Sequence, residues 1–199
     1  EAISMCERSV RPESVAGMGL LKEWLVQRRR GLSPEARAYG LPKPRGIGLV
    51  GIAGTGKALV AAMVSSLWEV PLLRLDLGAL FASPAGESDA RVRRAIRAAE
   101  ALAPCVLWVR DLESTVEHTD LDSGASGRVF CAVTRWIAEG TAPVFAVATM
   151  NDASWVEADL LQGGWLDDVF MIDLPYTAER EEILAIHLRH YGRDAHAFD

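Results

Sequence analysis

Five short, almost unbroken apolar runs recur along the chain: GIGLVG (46–51), PLLRLD (71–76), CVLWV (105–109), VFAVAT (144–149) and VFMIDL (169–174). Runs of this length without alternation suit strands buried on both faces of a parallel sheet. Between them the spacing becomes helical. From Glu87, the apolar positions Val92, Ala95, Ile96, Ala99, Leu102 and Ala103 mark one face, and Arg91, Arg93, Arg94 and Arg97 fall largely off it. Val129, Val133, Trp136 and Ile137 mark a second helix. A third is expected from Thr177 as its N-cap, with Glu179, Glu181 and Glu182 in the first turn. Strands alternating with helices predict a doubly wound α/β fold around a five-stranded parallel sheet, with ligands at the carboxyl ends of the strands. Residues 1–176 form this unit, and 177–199 read as the first helix of a truncated helical subdomain. The polar stretch EHTDLDSGASG (117–127) is the segment expected to move.

Composition narrows the class without naming a function. Half of the 199 residues are hydrophobic, which excludes a disordered chain. A net charge of −6 argues against general nucleic-acid binding. Cys6, Cys105 and Cys131 lie too far apart for a disulfide framework or a zinc spacing, and fit a reducing, cytoplasmic setting. No run of eighteen apolar residues suggests a membrane span. The acidic opening EAISMCERSV does not read as a secretory leader. It also lacks an initiator methionine, so the chain reads as a piece of something longer.

The chemistry starts at GIAGTGKALV, Gly51 to Val60. Gly51, Gly54 and Gly56 fall in a turn between a predicted strand and a predicted helix, the setting a phosphate-binding loop requires. Glycines let successive N–H groups converge on an anion, and the helix N-terminus beyond adds positive potential. Thr55 and Leu59 belong to the same turn, and Lys57 supplies the charge for the outer phosphates. The residue after that lysine normally brings a hydroxyl to Mg²⁺. Here it is Ala58.

The stretches GLPKPRGIGLVGIAGTGK, VPLLRLDLGALFAS, GESDARVRRAIRAAEALAPCVLW, TAPVFAVATMND and DLPYTAEREEILAIHL together resemble the large domain of AAA+ ATPases. More narrowly they are similar to the AAA proteins of cyanobacterial and plastid hypothetical chloroplast reading frames. The resemblance runs from about Val15 to Leu188. It implies a P-loop NTPase fold followed by a helical lid. It also implies ATP bound between subunits of a ring, and hydrolysis coupled to remodelling a protein. Asn151 matches the family's first sensor, and Gly17 and Tyr39–Gly40 fall near the expected adenine.

Against that pattern several positions depart. The family's third strand ends in two acids that orient the metal and polarise water. Here CVLWV runs into Arg110, Asp111, Leu112 and Glu113, and neither alignment restores the pair. Where two arginines would reach a neighbour's nucleotide, the chain has Gln162 and Trp165. The loop that grips substrate offers only Pro84 and Ala85. The reading is a degenerate AAA+ module that binds ATP or ADP weakly, independently of Mg²⁺, or not at all. It does not hydrolyse nucleotide, and it works with protein partners, either active AAA+ subunits or other domains of a longer chain. Two alternatives stay open: a slow ATPase with Asp111 as sole acid, and a structural domain with an empty pocket.

Other residues carry less. His187, His190 and His196 read as a solvated helix face, and Trp24, Trp68, Trp108 and Trp136 as core. Trp155 and Trp165 lie in predicted loops and, if exposed, would suggest a protein contact. The basic patch QRRRG (27–31) reads as a helix C-terminus.

Overall fold

Strand β5 (Val144–Met150) is buried at every residue and lies in the middle of a six-stranded sheet. Its alternate side chains feed two cores. Val144, Ala146, Ala148 and Met150 face one, and Phe145 and Val147 the other. This two-sided burial is why β5 reads as a continuous apolar run. The computed structural model describes residues 2–7, 9–81, 87–110, 112, 125–152 and 164–197.

The strands are β1 (Ile3–Cys6), β2 (Gly46–Val50), β3 (Leu72–Leu75), β4 (Cys105–Val109), β5 and β6 (Asp168–Met171). They lie in the order β1-β3-β4-β5-β2-β6. The five strands read from sequence are present and parallel. The expected count of five needs correction, because β1 adds a sixth strand, antiparallel to β3 at the edge, with Ile3 opposite Leu75 and Cys6 opposite Leu72.

Helices cover both faces. On one, α1 (Gly19–Arg28) and α3 (Lys57–Trp68) pack Leu21, Leu25, Val60, Met63, Val64 and Trp68 against Phe145 and Val147. Trp68 stacks 4.4 Å from Phe145, and its indole N–H donates to the Leu25 carbonyl at 3.0 Å. The other face carries α4 (Leu77–Phe81), α5 (Glu87–Ala101) and α6 (Ala125–Glu139). Val92, Ala95 and Ala99 of α5 and Val129, Val133 and Ile137 of α6 are buried as their spacing predicts. The short α2 (Pro34–Ala38) follows a 3₁₀ turn at Arg29–Leu32. The basic patch therefore divides between the end of α1 and that turn. Arg28 lies over the Trp24 ring, and Arg29 pairs with Glu69 at 2.8 Å.

The last long helix, α7 (Thr177–His190), starts one residue earlier than the sequence suggested. Tyr176 is the N-cap, its N–H donating to the Glu179 carboxylate at 3.2 Å, while the Thr177 hydroxyl accepts from Arg180. Of the stretch expected to move, residues 125–127 open α6, and 117–124 lie outside the described residues.

Candidate functional site at the carboxyl edge of the sheet

Strand β2 leaves the sheet at Val50, beside Met150 of β5 and Met171 of β6. Helix α3 then runs back along one face, whereas the segment that returns from β5, with Trp165 and Leu166, packs on the other. Connections departing to opposite faces open a crevice at the carboxyl ends, where ligands of such sheets bind.

The phosphate loop sits in that crevice. Gly51 donates to the Met150 carbonyl at 3.2 Å, and a Cβ on it would sit 2.0 Å from the carbonyl oxygen of Ile172. Only glycine fits so close to the exit of β6. Gly54 and Gly56 turn the chain with φ of +92° and +95°. The Thr55 hydroxyl ties the turn by donating to the Ile52 carbonyl at 3.0 Å. Leu59 and Val60 both donate to the Gly56 carbonyl, so α3 opens directly from the loop. Its leading N–H groups project from the helix end toward any anion above it.

Lys57, the first residue of α3, is 7% exposed. Its ammonium donates to the Gly51 carbonyl and, at 2.8 Å, to that of Ile52. The cation is therefore held inside the loop. Ala58 follows it in the first turn of α3, and its methyl offers no oxygen to a metal. Among the described residues no cluster of three or more His, Cys, Asp or Glu side chains is placed to hold a metal ion.

Next to the loop lies a cleft of about 690 Å³, within the roughly 300–1,000 Å³ usual for small-molecule sites. Gly54, Thr55, Gly56 and Leu59 form one wall. Ser14 to Met18 and the start of α1 form the second, with Gly17 flanked by the lining residues Ala16 and Met18. The strand exit at 170–176 and the inner face of α7, with Glu179, Ile183, Ile186 and His187, complete it. Tyr39, after α2, is 83% exposed and is not among the lining residues. His187, read from sequence as part of a solvated face, is exposed yet lines the cleft.

The remaining site candidates divide. Arg110 and Asn151 are exposed at the carboxyl ends of β4 and β5. Val109 is in register with Ala148, and Val50 with Met150. Arg110 thus leaves the sheet two strands from β2, a lateral separation of roughly 10 Å. Asp111, Gln162, Glu113, Pro84, Ala85 and Trp155 lie outside the described residues. Trp165 is 1% exposed and meets the Phe130 ring edge-on at 6.1 Å. It is a core residue, so the protein contact that exposure would have suggested does not arise.

A fold of this topology with a glycine loop and lysine at the end of β2 defines a P-loop nucleotide-binding domain. The chain belongs to the AAA family, the ATPase family associated with various cellular activities, whose pattern covers residues 47–174. It is 44% identical over 176 residues to the AAA domain-containing protein ycf46 of Pyropia yezoensis, covering 87% of this chain and 36% of that protein. Its identity to the ycf46 protein of Trieres chinensis is 41% over 180 residues, or 89% of this chain and 36% of the relative. A more distant relative is the cell division cycle protein 48 homolog of Archaeoglobus fulgidus, 31% identical over 157 residues, covering 77% of this chain and 21% of that protein. The chain therefore spans about a third of the length of the ycf46 relatives. No helix among the described residues is long and apolar enough to cross a membrane.

Proposed function

We propose that this domain holds ADP or ATP without needing Mg²⁺, does not hydrolyse it, and acts by assembling with protein partners. The observation that carries the reading is Ala58, a methyl in the first turn of α3 beside a buried Lys57, where a working loop presents a hydroxyl to the metal. Arg110, at the exit of β4, supplies a cation where the family's metal-orienting acid would stand. A guanidinium can donate to phosphate oxygens as a planar fork, taking over part of the charge neutralisation that Mg²⁺ provides. With Trp165 packed in the core, that position offers no charge to a neighbouring subunit's nucleotide.

Residues 177–199 fit the start of a helical lid. Helix α7 contributes no fully buried side chain, and its Leu184 is 62% exposed on the side away from the cleft. That exposed leucine supports contact with further protein, whereas Leu174 and Tyr176, 63% and 65% exposed, line the cleft itself.

A phosphate-release assay tests the reading. With ATP and Mg²⁺, turnover is expected at background, and Ala58→Ser alone leaves it there because Arg110 remains. Turnover of about 1–10³ per second that is lost in Lys57→Ala would show a working ATPase instead.

A further inference from the structure

Of the carboxylates of α7, Glu179 lines the cleft, and Glu182 reaches Gly17, which sits between the lining residues Ala16 and Met18. The N–H of Gly17 donates to Glu182 of α7 at 2.9 Å. Glu179, one turn earlier, lies so close that a Cβ on Gly17 would be 2.2 Å from its Oε1. Gly17 has φ of +62°, so the backbone conformation reserves this position for glycine. Met18 follows, also left-handed at φ 57° and ψ 36°, a conformation unusual for a residue with a side chain. Its Cε would lie 3.7 Å from a Cβ on Gly56. A single strained turn thus touches the carboxylates of α7 at one end and the phosphate loop at the other. Helix α7 has little else to hold it there, since none of its side chains is fully buried.

We infer that Glu182, with Glu179 beside it, is an intramolecular competitor for the ligand: it clasps α7 over the cleft at Gly17 until a nucleotide displaces it. The inference rests on the nucleotide reading of the cleft. Two physical effects act in the same direction. A carboxylate bound to a backbone N–H makes a charge-assisted hydrogen bond, so a donor between the lining residues Ala16 and Met18 is occupied by the protein's own acceptor. The two carboxylates also place negative charge beside a cleft whose ligand carries phosphates, which opposes binding. Closing part of the population against ligand raises the apparent Kd by the reciprocal of the fraction left open. The clasp therefore lowers nucleotide affinity, and removing it raises that affinity.

The test is a fluorescence titration of the full chain with an ADP analogue, on wild type, Glu182→Ala and Glu182→Gln, with Lys57→Ala as the control that binding is in this cleft. Glu182 is exposed, so its substitution leaves the core untouched. Glu182→Ala is expected to bind roughly 10- to 150-fold more tightly, the span of one charge-assisted hydrogen bond. Glu182→Gln, which keeps an acceptor but loses the charge, falls between. Amide hydrogen exchange without ligand should speed up around Gly17 and along α7 in Glu182→Ala. Equal or weaker binding by Glu182→Ala overturns the clasp while leaving the nucleotide reading intact. No binding by any variant, wild type included, overturns that reading and the clasp with it.

Discussion

Helices α3 and α7 border the same cleft and are held in opposite ways. Helix α3 buries Lys57, Val60, Ala61, Ala62, Met63, Val64, Ser65 and Trp68 between sheet and α1. Helix α7 buries none of its residues and reaches the body of the domain through Ile183, Ile186, Glu179 and Glu182. The phosphate side of the cleft is thus part of the core, and the opposite side is an adjustable wall. Elements with few buried contacts open at low free energy. A cleft built this way fixes where a phosphate sits and leaves open how the rest of the ligand is enclosed.

The contrast breaks first if the two sides respond alike to truncation. Phe145 is fully buried between the Trp24 and Trp68 rings beneath α3. Phe145→Ala should cost about 3–5 kcal/mol of stability. Leu184→Ala on the outer face of α7 should stay within about 0.5 kcal/mol. Chemical denaturation of both variants checks the difference, and comparable losses would show α7 to be as anchored as α3.

A smaller effect sharpens the same point at the loop. Gly51→Ala forces a methyl against the Ile172 carbonyl, so the exits of β2 and β6 must separate. A cost of about 1–3 kcal/mol is expected, read as a lower denaturation midpoint with an unchanged slope. A neutral Gly51→Ala would mean that the loop is not seated on β6 as described.

The smallest effect compares two thiols. Burial pushes the Cys105 thiol up to about 11 from an ordinary 9.0, whereas Cys131 is exposed on α6. Because the folded value is raised, the stability tied to the neutral Cys105 thiol is fully present below pH 9 and is lost as pH climbs toward about 11. At neutral pH a thiol reagent should label Cys131 quickly and Cys105 only on unfolding. Equal labelling rates would contradict the buried placement of β4.

The parts of this architecture that the sequence disclosed are those governed by local spacing. Strands β2, β4 and β5 stand out because two-sided burial demands continuous apolar runs, although β6 shows such a run while only partly buried. The loop stands out because Gly51 to Lys57 are contiguous in the chain. Strand β1 escaped notice. ISMC is four residues long, leaves Met5 58% exposed, and is defined by its pairing with β3 rather than by any pattern of its own. The second wall of the cleft was equally hidden, because Gly17 and Glu182 meet across 165 residues of chain. Ile183, Ile186 and His187 do share a helical face by spacing, but nothing local says what that face covers. Trp165 reads as a loop residue until Phe130 is brought against it from α6.

Whether the cleft has exchanged its metal for an arginine is decided by calorimetric titration of ADP, once with Mg²⁺ and once with a chelator, on wild type and Arg110→Asp. The expected result is the same affinity in both conditions for wild type, with Arg110→Asp about tenfold weaker without metal, the loss of one charge-assisted contact. Wild-type affinity that collapses on chelation, or an Arg110→Asp variant that binds as well as wild type without metal, would contradict it.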